Sequence, residues 1–143
     1  MLQKLNTKRS GFTLVEIMIV VSIIALLAAI AVPNALRARK RSQAASIVQT
    51  LRMIDSAKDQ LAVDSHLSKG QATDPTLLAK YVKEGSDLQT QLLGGAVLDE
   101  LKNSITIGAV DVSPKISTAT HDALDDVLGN DPAEVAKYWG VYN

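Results

Sequence analysis

The sequence has no cysteine, little aromatic area and no excess of charge of either sign. Without cysteine there are no disulfides, no thiolate zinc sites and no cysteine nucleophile. Lysine and arginine total 15, as do aspartate and glutamate, so no overall charge balance draws the chain to nucleic acid. The aromatic side chains are Phe12, Tyr81, Tyr138, Trp139 and Tyr142. Much of the 47% hydrophobic content is concentrated near the N terminus, which leaves a thin core for residues 34–143. Support for catalysis is equally sparse. His66 and His121 are isolated, no serine motif surrounds either, and no Gly-rich phosphate loop occurs. An enzyme is the least favoured class, and 143 residues allow one modest domain plus one appendage.

What is present is an apolar run. Phe12 to Val32 is 21 residues, of which only Thr13, Glu16 and Ser22 are not apolar. As a helix rising about 1.5 Å per residue it spans roughly 30 Å, the thickness of the hydrocarbon core of a bilayer. Three readings compete. One is a permanent signal anchor. Another is a secretory signal peptide, with Lys4, Lys8 and Arg9 as its basic region and Ala29-Ile30-Ala31 as its cleavage site. Against that reading, the run exceeds the usual signal core of about 7–15 residues and holds a carboxylate, Glu16. The third is a precursor cut before the apolar helix rather than after it.

The stretch GFTLVEIMIVVSIIALLAAIAVPN resembles the N terminus of the type IV pilin and type II secretion pseudopilin superfamily. The matching features are a short basic leader, Gly11, Phe12, Glu16 four residues on, and Pro33 closing the apolar run. The resemblance implies that a membrane prepilin peptidase cuts Gly11–Phe12 and that the new Phe12 amine is methylated. A glycine before the cut lets the backbone enter a narrow site in extended form. The resemblance also gives Glu16 a role, pairing with the Phe12 amine of an adjoining subunit and so setting axial register. A charge at the centre of a membrane helix costs about 2.5–3.5 kcal/mol, and Glu16, near the cytoplasmic end, should cost less. Pro33 removes a backbone donor, so a kink or local melting is expected over residues 30–35.

Past the run, Arg37, Arg39, Lys40 and Arg41 form a basic cluster, read first as a contact for lipid phosphates and second as a partner for acidic faces of neighbouring subunits. Its four cations exceed those of the leader, so the positive-inside count leans against a cytoplasmic N terminus. The motif, not that count, places residues 34 onward outside. From Ser42 to about Val63, Ala44, Ile47, Val48, Leu51, Ile54, Leu61 and Ala62 mark one apolar helix face, with Arg52, Asp55, Lys58 and Asp59 on the wetter side.

The remaining chain reads as short elements. SHLSKGQATDP is a loop, and Asp74-Pro75 starts a helix with Leu77, Leu78, Tyr81 and Val82 on its apolar face, ended near Gly85. IDSAKDQLAVD and DPTLLAKYV are similar to the corresponding stretch of small pseudopilins. SITIGAVDVSP is the one clear strand. Related small pseudopilins often lead into such a strand with a cysteine and a Gly-Gly turn. Here Gly94-Gly95 stand without cysteine and AVLDELKN intervenes, so a small sheet or single hairpin is expected. Thr120 is the expected cap of a helix ended by Gly129, and Asp131-Pro132-Ala133-Glu134 starts another. Tyr138, Trp139, Val141 and Tyr142 are expected to pack back on the long helix. Asp122, Asp125 and Asp126 could share a helix face, read as a solvated acidic surface with calcium the lesser alternative, so no metal or cofactor is assigned.

The sequence therefore predicts an α+β protein. Residues 1–11 are a cleaved leader, 12–33 a transmembrane and assembly helix, 34–63 an amphipathic helix continuing it past a bend, and 64–143 a small head of short helices with a minimal sheet or hairpin. The resemblance implies a type II secretion pseudopilus subunit in a bacterial inner membrane, single-pass, with its head outside the cytoplasm and its filament in the periplasm or at the cell surface. Implied partners are further copies of itself, the prepilin peptidase, the inner-membrane assembly platform, a separate cytoplasmic ATPase and the lipid bilayer, with no nucleic acid. A type IV pilin for adhesion, motility or DNA uptake is the near alternative. A membrane-anchored or secreted binding module is the alternative of another class.

Overall fold

The computed structural model describes residues 11–129 and 131–142. It is α+β: α1 Leu14–Ser65, α2 Pro75–Leu78, α3 Asp87–Leu93, β1 Val97–Leu98, β2 Ser104–Ile105, α4 Thr118–Leu128, α5 Pro132–Trp139 and a final 3-10 turn, Gly140–Tyr142. Contacts divide the chain into two units, residues 1–36 and 37–143.

In the first unit the apolar part of α1 is exposed throughout, and it is long and apolar enough to cross a membrane. Ser22 stays polar at no cost to this surface, because its hydroxyl donates to the Met18 carbonyl at 2.7 Å. The segment remains helical through Pro33. The local melting expected over residues 30–35 is absent, since a proline deletes one ladder bond while the turns on either side keep theirs.

In the second unit, Ala44, Ile47, Leu51, Ile54, Ala57 and Leu61 form the buried face of α1. Leu78, Leu88, Leu92, Val97, Ile105, Leu124, Val135 and Trp139 belong to the same core. Every buried core residue thus lies beyond position 43. Lys58, expected on the wet side, is instead fully buried. Its ammonium donates to the carbonyls of Ile107, at 3.0 Å, and Val112. Desolvation pulls its pKa below the ordinary 10.5, against the opposing pull of Asp55, Asp59 and Asp111.

That lysine explains why the expected strand is cut short. β1 and β2 pair antiparallel, Val97 opposite Ile105 and Leu98 opposite Ser104. Beyond Ile105 the chain folds back on itself: Thr106 and Lys115 exchange backbone bonds at 2.9 and 2.8 Å, and Gly108 takes φ +76°. The carbonyls at 107 and 112 converge on one ammonium instead of continuing a ladder. At Gly108 a side chain would also meet the Val112 carbonyl at 3.2 Å.

The helix ends follow local chemistry. α1 stops with His66 at φ 52° and a bond from the Leu67 amide to the Ala62 carbonyl at 3.1 Å, the six-to-one closure of a left-handed C-terminal cap. α2 starts as expected, Asp74 accepting from the Thr76 amide at 2.9 Å, but ends at Leu78 rather than near Gly85. The Thr76 hydroxyl and amide hold the Asp74 carboxyl below its ordinary value. α3 was not anticipated. Ser86 caps it, accepting from the Gln89 amide at 3.2 Å, and Leu88 and Leu92 face the core.

Ser117, not Thr120, caps α4. Thr120 is buried, its hydroxyl donating to the Asp99 carboxylate and accepting from the Asn103 amide group at 3.1 Å. Asp99 is itself buried and also accepts from the Leu101 and Asn103 amides at 2.8 and 2.9 Å, which closes the β1–β2 loop around it. α5 begins as expected, with Asp131 accepting from the Ala133 amide at 2.9 Å. Trp139 is 1% exposed, as the packing reading requires, and Tyr138 meets it edge-on with ring centroids 5.3 Å apart. Val141, by contrast, is 66% exposed.

Candidate processing and assembly site

Gly11, Phe12 and Thr13 precede the helix, and all three are exposed. The Thr13 hydroxyl accepts from the Glu16 amide at 3.2 Å, and the Thr13 carbonyl accepts from the Ile17 amide at 3.3 Å. Thr13 is therefore the N-cap of α1 and Glu16 its third helical residue, the spacing of a capping box. A carboxylate there also opposes the positive end of the helix dipole. Phe12 lies one helical turn before Glu16, so an amine freed at Phe12 would add a cation at the end where the carboxylate already sits.

Among the described residues, no atom lies within 4 Å of where a side chain at position 11 would begin. Lys4, Lys8 and Arg9 of the leader lie outside the described residues.

The basic cluster is divided by the fold. Lys40 donates to both oxygens of Asp126 at 2.8 Å, and the Arg41 Nε donates to the Val127 carbonyl at 3.2 Å. Arg37 and Arg39 are exposed. The acidic face divides with it. Asp126 is spent on Lys40, and His121 joins Asp122 and Asp125 instead, with donor atoms within 4.8 Å of one another. These are three partly exposed ligands, short of the six to eight oxygens that calcium takes.

Residues 6–32 match the family described as the prokaryotic N-terminal methylation motif. Fimbrial protein Q of Moraxella bovis is 36% identical over 122 residues, covering 85% of this chain and 70% of that protein. The chain belongs to the type IV pilin and pseudopilin superfamily. Type II secretion system core protein G of Escherichia coli (strain K12) is 34% identical over 88 residues, 54% of this chain. The type IV major pilin protein PilE of Neisseria gonorrhoeae is 33% identical over 86 residues, 56% of this chain. The chain spans 61% of the length of that secretion protein and 52% of that pilin. No solved structure matches it. The relatives are structural pilin and pseudopilin subunits rather than enzymes, and α1 is the one helix among the described residues long and apolar enough to cross a membrane.

Proposed function

We propose that the chain is a filament subunit, cut between Gly11 and Phe12, methylated at Phe12 and assembled through Glu16. The carrying observation is the exposed, non-helical Gly11-Phe12-Thr13 segment set against a capped helix whose first turn holds Glu16. The peptidase acts on the extended junction, and the liberated Phe12 amine pairs with Glu16 of an adjoining copy in the bilayer. The head lies outside the cytoplasm, and an assembly platform with a separate cytoplasmic ATPase supplies the work, since this sequence offers no nucleotide loop.

Of the two filament kinds, the type II secretion pseudopilus is the first reading, supported by a cysteine-free head with only a two-stranded sheet. The type IV pilin reading is favoured by the long alignment with the Moraxella fimbrial protein. Deleting the gene separates them: loss of an exported protein from the medium supports the pseudopilus, and loss of surface filaments with secretion intact supports the pilus.

Mass spectrometry of the membrane-extracted protein should show N-methyl-Phe12 as the first residue. A mature start at Val32 would establish the cleaved-signal alternative. Glu16→Ala should leave insertion and cleavage intact while regular filaments fail, because the amine loses its partner in a low dielectric. Glu16→Gln, which keeps the shape and some hydrogen bonding, should also assemble poorly. Regular filaments from both variants in electron micrographs would remove Glu16 from the register role.

A further inference from the structure

We propose that Arg37 and Arg39 are the chain's contact with anionic phospholipid headgroups, while Lys40 and Arg41 are withheld from lipid by the chain's own α4. The inference rests on the membrane placement proposed above and deepens it. Arg37 and Arg39 stand five and seven residues beyond Val32, the last residue of the apolar run. At about 1.5 Å per helical residue that interval reaches the headgroup layer. Both are exposed, and among the described residues neither enters an ion pair. A guanidinium presents a planar fork of donors that fits two phosphate oxygens at once.

Their neighbours in sequence are engaged elsewhere. The Lys40 ammonium sits against both carboxylate oxygens of Asp126, and Arg41 reaches the Val127 carbonyl. Asp126 and Val127 lie in the last turn of α4, where unpaired carbonyls and the negative end of the helix dipole favour cations. The Lys40–Asp126 pair is a surface pair, its side chains 39% and 62% exposed, so its hold on the lysine is modest and removing or neutralising Asp126 frees Lys40 for phosphate. A run that reads as four equivalent cations in the sequence is thus two for lipid and two for the head.

The test uses the full chain in neutral detergent micelles, titrated with phosphatidylglycerol and, as control, phosphatidylcholine, with bound lipid counted by native mass spectrometry. Lys4, Lys8 and Arg9 of the leader are the same in every variant, so differences report on the cluster. Arg37→Gln/Arg39→Gln should weaken phosphatidylglycerol binding about thirtyfold, and Arg37→Lys/Arg39→Lys should restore only part of it, returning the charge without the fork. Lys40→Gln should leave binding unchanged. Asp126→Asn should strengthen it about fivefold by releasing Lys40, and that gain should vanish in Asp126→Asn/Lys40→Gln. Wild-type binding by the double arginine variant, or equal losses from Lys40→Gln, would overturn the division. Displacement of the lipid by millimolar inorganic phosphate would assign the site to the free anion instead. Weakened self-association of the double variant in lipid-free micelles, with lipid binding unchanged, would assign the arginines to a second copy of the chain. Binding in micelles needs no filament, so a Glu16→Ala chain that fails to assemble should still bind phosphatidylglycerol normally, which keeps failure of the two proposals apart.

Discussion

Lys58 is the residue on which the head's least regular segment depends. Its ammonium gathers the carbonyls of Ile107 and Val112, and no other described residue donates to them. Lys58→Ala should therefore destabilise the protein by about 3–5 kcal/mol, from lost packing and carbonyls left without a donor. Lys58→Met keeps the volume and should cost less. Wild type and Lys58→Met also differ in their response to pH. A lysine whose folded pKa lies below its ordinary 10.5 takes up a proton on unfolding in the interval between, so stability contributed by this group rises as pH rises through that interval. The thermal midpoint of the wild type relative to Lys58→Met, followed by circular dichroism, should accordingly climb toward pH 10. His66 offers the opposite kind of test. It holds φ 52°, a conformation that strains any residue with a β-carbon, so His66→Gly should raise stability by up to about 1 kcal/mol. Trp139→Ala, which empties a fully buried site, should cost about 3–5 kcal/mol.

At the scale of elements, helices with chemical punctuation were legible and those whose ends depend on tertiary partners were not. Asp74-Pro75 and Asp131-Pro132 announced α2 and α5 because aspartate supplies the cap oxygen and proline the helical φ. Ser86-x-x-Gln89, with Leu88 and Leu92 four apart, carries the same kind of signal for α3. Thr13-x-x-Glu16 was likewise present but hidden by the stronger apolar run. The cap of α4 could not be chosen from sequence alone: Ser117 and Thr120 are both capable, and the decision falls to the buried Asp99, which claims the Thr120 hydroxyl from 21 residues away. Thr120→Val should then destabilise more than Ser117→Ala, because it strips a buried carboxylate of a donor where the other removes one part-buried cap worth about 1 kcal/mol. Chemical denaturation of the two variants decides the order. The truncated strand has the same origin, since an alternating pattern over Ile105, Ile107 and Ala109 says nothing of a lysine 49 residues before Ile107 that draws the carbonyl at 107 out of a ladder. Gly11, Phe12 and Glu16 are proposed as site residues from the motif, and the division of Arg37, Arg39, Lys40 and Arg41 needs the fold.

The molecule as a whole keeps two accounts of apolar surface. Residues 12–32 leave theirs exposed, while the core of the second unit draws all its members from Ala44 onward. A fragment of residues 37–143 should accordingly fold cooperatively in water without detergent, with a single sharp thermal transition, whereas a broad transition would show that the head needs the apolar helix. This partition also bears on mechanical work. In the filament proposed above, a subunit leaving lipid would exchange acyl chains for neighbouring protein around its apolar helix. None of the residues undergoing that exchange contributes to the head's core, so force applied to extract the subunit loads a segment whose integrity comes from its own backbone bonds. Under that proposal the head would travel through extraction as finished cargo, neither softened when the helix leaves the bilayer nor obliged to refold when it arrives.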